Sequence, residues 1–147
     1  MKKFLCAVAA VLCICLCLTA CSTSMAYTFT IETGDSVKVQ LTTGDGYRLT
    51  QSDGNFYVSR EGSTVLTGCF ILGEAFPAYE EAVARDAEIL ETGDDFYFYT
   101  IEGQAGREHN FLMMLPDSDT ALLIASLSGE EEARAAFDRL TFEVNGL

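Results

Sequence analysis

The sequence predicts an α+β fold: an antiparallel sheet of about seven strands, with one inserted helix and one C-terminal helix packed on it. Two observations predict the sheet, because apolar and polar residues alternate along several short segments and Gly, Asp and Asn cluster between them. A third observation predicts the helices, since apolar residues recur every three or four positions in two later segments.

The early strands are marked by alternation and by turns. Apolar and polar residues alternate in segments 27–31 and 37–41, which predicts strands with one solvent-exposed face. Turns follow at GDG and REGS, and SDGN contains the Asp-Gly signal of a tight hairpin. The predicted strands span residues 27–31, 37–41, 47–51, 56–58 and 64–72.

A helix is predicted next, with Pro77 in its first turn and Gly93 at its end. Four apolar residues follow one another at spacings of four, four and three, which places them on one buried face. They are Tyr79, Val83, Ala87 and Leu90.

Three further strands are predicted at residues 96–101, 109–115 and 121–127. The segments FLMML and ALLIASL are apolar at successive positions, and a strand that is apolar on both faces is buried on both. We therefore expect another element to cover the second face of the sheet in its later half.

The last helix is predicted from a capping box, in which Ser128 is the N-cap and Glu131 lies three residues on. Its buried stripe comprises Ala133, Ala136, Phe137 and Leu140. A short final strand around Phe142 and Val144 completes the sheet.

The first 20 residues have the parts of a secretory signal: Lys2 and Lys3, an apolar run and small residues at its end. Leu18-Thr19-Ala20-Cys21 resembles the lipobox of bacterial lipoproteins, in which the chain is cut before a cysteine that receives diacylglycerol. The resemblance implies that Cys21 carries lipid, with fatty acids such as palmitate, and anchors the protein on the extracytoplasmic side of a cell membrane.

The lipobox divides the chain into a signal peptide (1–20), a lipidated cysteine with a short tether (21–26) and one α+β domain (27–147). The tether, Ser22 to Ala26, spans no more than about 18 Å. A rival cut after Ala26 would discard Cys21 and release the protein. The remaining signal-segment cysteines are small hydrophobes within the apolar run: Cys6, Cys13, Cys15 and Cys17.

Charge excludes several kinds of partner. Removal of the predicted signal peptide would remove Lys2 and Lys3. Residues 21–147 would then have seven basic and 22 acidic side chains, a formal charge of −15. Nucleic acid and anionic lipid both attract basic patches, so we expect no nucleic-acid binding and no adhesion to lipid by charge. With Cys21 acylated, Cys69 is the one cysteine left, and the fold must hold without a disulfide.

The order of elements resembles the PsbP-like group of α/β/α sandwiches. The segments LTTGDGYRLTQSDGNFYVSR and PDSDTALLIASLSGEEEARAAFDRLTFEV are similar to the group's opening hairpin and to its closing strand, helix and tail. The resemblance covers residues 27–145 and implies a domain that binds partners rather than one that catalyses. It carries no functional residue over to this chain.

No common catalytic motif is present: the sequence has no G-x-S-x-G, no glycine-rich phosphate loop and no C-x-x-C or H-x-x-x-H pair. Cys69 and His109 are the remaining candidates for a nucleophile and its base. Cys69 lies in the apolar segment LTGCFIL, which predicts a buried structural cysteine, and His109 is expected near a strand end beside Arg107 and Glu108.

Carboxylates raise the possibility of calcium, but none follows the spacing of an EF-hand loop. Each candidate falls where a turn residue is expected. The candidates are Asp94, Asp95, Asp117, Asp119, Asp45 and Asp53.

Met113 and Met114 suggest a soft-metal site, and FYFY suggests an aromatic platform, but both patterns are more typical of a core. Tyr97 and Tyr99 would matter functionally only if the face they share were uncovered. We expect no metal and no cofactor.

These observations favour a membrane-anchored envelope lipoprotein whose non-catalytic domain binds a protein or a small ligand. The alternative is an enzyme of unrecognised type that acts on an envelope substrate, with Asp and Glu as acid and base. A deep cleft with two facing carboxylates would favour the enzyme, and a shallow apolar patch would favour binding.

Overall fold

The computed structural model describes residues 23–145 and contains ten strands and two α-helices. A 3₁₀ turn, Gly73–Ala75, leads into the first helix. The elements are β1 (Ser24–Thr30), β2 (Ser36–Thr42), β3 (Tyr47–Ser52), β4 (Asn55–Arg60), β5 (Ser63–Leu72), α1 (Phe76–Asp86), β6 (Glu88–Gly93), β7 (Phe96–Gly103), β8 (Gly106–Met114), β9 (Thr120–Ser126), α2 (Glu130–Phe137) and β10 (Leu140–Asn145).

The strands form two antiparallel sheets. One has seven strands in the order β3-β4-β5-β9-β8-β7-β6, and the other has three in the order β1-β2-β10. The α+β class and the two helices are as predicted, but β1 and β2 do not belong to the large sheet: they pair with each other, and β2 also pairs with the last strand, β10. The predicted single sheet is therefore wrong in this respect.

The large sheet is buried on both faces, as its apolar strands predict. On the first face, Phe98, Phe111 and Ile124 join a core shared with the three-stranded sheet and with α2. On the second face, Leu112 and Ala121 pack with residues of α1. Helix α1 is thus the element expected to cover the second face of the later strands.

Packing on the first face is aromatic. The ring of Phe111 stacks on Phe137 of α2 at 4.1 Å between centroids and on Phe98 at 4.4 Å. Phe56 is fully buried, and its ring lies over Gly68, its partner on the neighbouring strand. A side chain at Gly68 would overlap that ring, so the glycine is required for close approach.

Helix α1 ends earlier than predicted. Asp86 is its last residue, and Ala87 is extended, with φ −113° and ψ 155°. The following residues form β6, an edge strand paired with β7. Val83 lies on the buried face as predicted, but Leu90 belongs to β6 and packs against the first-face core.

The N-cap of helix α2 lies one residue later than predicted. Gly129 is the N-cap, and no side chain caps the helix. The carbonyl of Ser128 instead lies 2.9 Å from Nδ1 of His109. The helix ends at Phe137, so Leu140 starts β10 rather than extending the helical stripe.

Candidate functional site

A surface groove of about 420 Å³ lies where the turn between β1 and β2 meets the end of β5 and the turn between β8 and β9. Leu72 is 39% exposed, which gives the groove an apolar wall. The backbone N–H of Gly73 donates to the carbonyl of Asp119 at 2.7 Å and so fixes two sides of the groove. Its lining, which we call the Thr33 groove, comprises Thr33, Leu72, Gly73, Glu74 and Asp119.

Asp35 holds the turn beside the groove in place. Its Oδ2 atom accepts hydrogen bonds from Ser118 Oγ at 2.6 Å, Thr120 Oγ1 at 2.8 Å and Thr33 Oγ1 at 3.2 Å. The donors from Ser118 and Thr120 join the β1–β2 turn to the β8–β9 turn and the start of β9, and the donor from Thr33 lies within the β1–β2 turn itself. The groove is therefore built on a fixed frame rather than on two independent loops.

The electrostatics of Asp35 favour its charged form. The hydrogen bonds from Ser118 and Thr120 lower the pKa of the Asp35 carboxyl below its ordinary value. A general acid needs the opposite shift, because it must hold its proton near neutral pH. Asp35 thus suits a structural role and the attraction of a cation.

The carboxylates lining the groove make it acidic. Glu74 and Asp119 both line it, and Asp35 lies directly behind Thr33. The chemistry of this set suits a ligand that offers positive charge or N–H donors, with an apolar portion placed on Leu72.

The tyrosines of FYFY do not form an open platform. Tyr99 is 5% exposed, and burial raises its pKa to about 12. The Tyr97 hydroxyl donates to Glu80 Oε1 of α1 at 2.9 Å, and this bond raises the pKa of Tyr97. A functional role for Tyr97 and Tyr99 would require the face that they share to be uncovered. Helix α1 covers the second face here, so that requirement is not met.

Asn110 is a buried polar residue on the second face that sequence reasoning missed. It lies between Tyr99 and Ala125 across the paired strands and is 4% exposed. Its Nδ2 atom has no hydrogen-bond partner within residues 23–145. The sequence does not indicate that this amide is buried, because a single Asn in an apolar strand forms no repeating pattern.

Cys69 and His109 are not placed as a dyad. Cys69 is half-buried on β5 opposite Leu123 of the second face, and burial raises the pKa of its thiol. His109 packs against Phe98 on the first face. The expectation that His109 lies at a strand end is wrong, since it is buried within β8.

The acidic turn residues and the methionines do not converge on a metal. Within residues 23–145, no group of three His, Cys, Asp or Glu side chains is placed to hold an ion. Asp45, Asp53, Asp95 and Asp117 have φ between 51° and 53°, the left-handed turn conformation. Met113 and Met114 pack against different cores on opposite faces of the sheet.

Most basic side chains on the described surface are paired with carboxylates. Six of the seven Lys and Arg residues in 23–145 form ion pairs with carboxylates, and Arg48 is the exception. The pairs are Lys38–Glu143, Arg60–Glu132, Arg85–Asp86, Arg107–Glu88, Arg134–Glu91 and Arg139–Asp45.

Comparisons of this chain with protein-family models, with curated proteins and with solved structures found no match. Cys21, the predicted site of lipid attachment, lies outside the described residues. No helix within residues 23–145 is long and apolar enough to span a bilayer.

Sequence reasoning singled out Asp119, as a calcium candidate, but missed Thr33, Asp35, Ser118 and Thr120. The segments TGD and DSDT carry turn residues, yet nothing in either shows that the two turns meet. The contact arises because β2 pairs in one sheet and β9 in the other, and that arrangement is fixed only by the whole fold.

Proposed function

We propose that this protein is an envelope lipoprotein, anchored on the extracytoplasmic side of a membrane through lipid on Cys21, whose domain binds a partner without catalysis. The sequence resembles the PsbP-like group in its order of predicted elements, and that group binds partners more often than it catalyses. The Thr33 groove is the binding site we assign.

The start of β1 carries the proposal. Strand β1 begins at Ser24, and Met25 pairs with Leu41 and packs against the first-face core. The rival cut after Ala26 would remove three residues of this strand and leave its partner β2 partly unpaired. A cut before Cys21 keeps β1 whole, which supports the lipobox over the rival.

The same observation shortens the tether. The sequence predicts a tether from Ser22 to Ala26, but β1 already includes the last three of these residues. Thr23 is bonded to the domain as well, since its carbonyl accepts from the backbone N–H of Thr43 at 2.9 Å. The described contacts of the domain thus begin at Thr23, two residues after Cys21 in the sequence.

The groove supports binding rather than acid–base chemistry. It is an open depression with an exposed leucine, and the carboxylate behind it, Asp35, has a pKa shifted away from that of a general acid. Its carboxylates favour a partner with basic side chains, and a chain of formal charge −15 would attract such a partner at long range.

Metabolic labelling with a fatty acid tests the anchor. Cys21→Ala should abolish labelling and move the protein out of the membrane fraction, because one thiol carries the lipid. Cys17→Ala, which changes a cysteine four residues earlier in the apolar run, is the matched control and should label normally. Labelling that survives Cys21→Ala would overturn the proposal.

A further inference from the structure

The contacts of Thr23 fix where the anchored chain enters the fold. Thr23 Oγ1 lies 2.6 Å from Thr43 Oγ1, and Thr43 Oγ1 also donates to the Thr23 carbonyl at 2.7 Å. The next residue, Ser24, already pairs with Thr42 in the three-stranded sheet. The chain is therefore held by the domain from Thr23 onward.

The end of the domain that holds Thr23 also holds the β2–β3 turn and the start of β10. Tyr47 is buried there beneath the guanidinium groups of Arg139 and Arg60, whose Cζ atoms lie 4.4 Å and 5.3 Å from its ring centroid. Arg139 also bonds to Asp45 of the same turn. We call this part of the surface the Tyr47 end.

The Thr33 groove lies at the opposite end of the same strands. Strand β1 runs from Ser24 at the Tyr47 end to Thr30, and the turn that follows contains Thr33. Seven residues of strand span roughly 20 Å. The groove is thus about that far from the point where the chain enters.

We propose that the lipid holds the domain in one orientation, with the Tyr47 end against the lipid headgroups and the Thr33 groove facing away from the membrane. This inference rests on the proposed anchor at Cys21. Cys21 and Thr23 are two residues apart in the sequence, so their Cα atoms can lie no more than about 7 Å apart, which is too short for the domain to turn over.

Charge favours the same orientation. The groove end carries Asp35, Glu74 and Asp119 with no basic residue in the groove lining, so anionic headgroups repel it, whereas at the Tyr47 end the negative charges of Asp45 and Glu132 are paired with Arg139 and Arg60. The partner of the groove therefore reaches it from the aqueous side rather than from the bilayer.

Headgroup quenching of single fluorescent labels tests the orientation. The full-length gene, with Cys69→Ser, is expressed with its own signal, and the lipidated product is placed in vesicles with a quencher on the headgroups. One variant adds Asp138→Cys, exposed beside the Tyr47 end, and the other adds Glu32→Cys, exposed beside the groove. Each change removes one carboxylate, so the two variants are matched in charge.

The label at Asp138→Cys should be quenched strongly, and the label at Glu32→Cys should be quenched weakly, since they differ in height by roughly 20 Å. Inserting ten Gly and Ser residues between Ser22 and Thr23 should reduce the difference, because a flexible segment of that length reaches about 17 Å. Equal quenching without the insert, or an insert that leaves the difference unchanged, would overturn the orientation. Protein that fails to float with the vesicles would overturn the anchor itself.

Discussion

Ser118 Oγ donates a hydrogen bond of 2.6 Å to Asp35 Oδ2, although the two residues lie 83 positions apart in the chain. This bond, together with the one from Thr120, joins the two sheets at one end of the molecule, and Thr33 adds a third donor from within the same turn as Asp35. The strength of the contact depends on the charge of Asp35, because a carboxylate is a stronger acceptor than a neutral group.

Asp35→Asn should lower the melting temperature at neutral pH, since the amide lacks the charge that the three hydroxyl donors stabilise. The pKa of Asp35 is lowered in the folded state, so its contribution is full above the unfolded value of about 4 and is lost as the pH falls through the lower folded value. Thermal unfolding across this range should show the wild-type advantage shrinking in acid.

Asp53→Asn is the matched control for this substitution. Asp53 lies in an exposed turn and accepts a hydrogen bond from Ser52. The melting temperature of the Asp53→Asn variant should stay close to that of the wild type at every pH. A loss on Asp35→Asn that is the same at neutral and acid pH would mean that charge does not contribute to the contact.

Gly68→Ala should destabilise the domain by about 1–3 kcal/mol, because the new Cβ would overlap the fully buried ring of Phe56. Urea unfolding of Gly93→Ala gives the comparison, since the nearest atom to a Cβ there is Phe96 Cβ at 3.8 Å. Phe56→Leu in the Gly68→Ala background should recover part of the loss. Equal midpoints for the two single variants would contradict the packing described.

Val83→Asp should lower the free energy of unfolding by several kcal/mol, which is a large part of the 5–15 kcal/mol typical of a domain. Val83 is 5% exposed between α1 and the second face of the large sheet, so the charge would have no water around it. Ala84→Asp, on the exposed side of the same helix, should change stability by about 0.5 kcal/mol or less. Similar unfolding curves for Val83→Asp and Ala84→Asp would show that Val83 does not lie on the buried face of α1.

Cys69 should react slowly with a maleimide in the native protein and rapidly in urea. Burial raises the pKa of its thiol and so reduces the reactive thiolate. In residues 22–147 it is the single cysteine, so the rate can be assigned to it. Thr67→Cys with Cys69→Ser places a thiol at an exposed position of the same strand and should react quickly when native. Equal native rates would show that Cys69 is open to solvent.

The sequence predicted the strands with clear alternation and the buried face of each helix, since both features depend on residues two to four positions apart in the chain. It missed β6 because Ala87 to Glu91 fit a helical stripe as well as a strand. The segment forms a strand because it can pair with the edge of β7, and α1 therefore ends where Ala87 becomes extended. The local sequence does not show that β7 is available as a pairing partner.

The three-stranded sheet could not be predicted from local pattern. It pairs Ser36 with Asn145, and no turn signal links strands so far apart in the chain. The Thr33 groove depends on the same long-range arrangement. The missed capping box has a local cause, since Gly129 takes the N-cap position and the carbonyl of Ser128 lies against His109.

Under the proposed anchor at Cys21, copies of this protein would share a membrane surface, and strand β6 affects how those copies would meet. It is an outer strand of the large sheet, and its pairing with β7 is irregular between Ile89 and Glu91. Glu88 and Glu91 add negative charge along it. Short, irregular and charged outer strands resist the addition of a strand from a neighbour, so crowding in two dimensions should not cause these domains to join into continuous sheets.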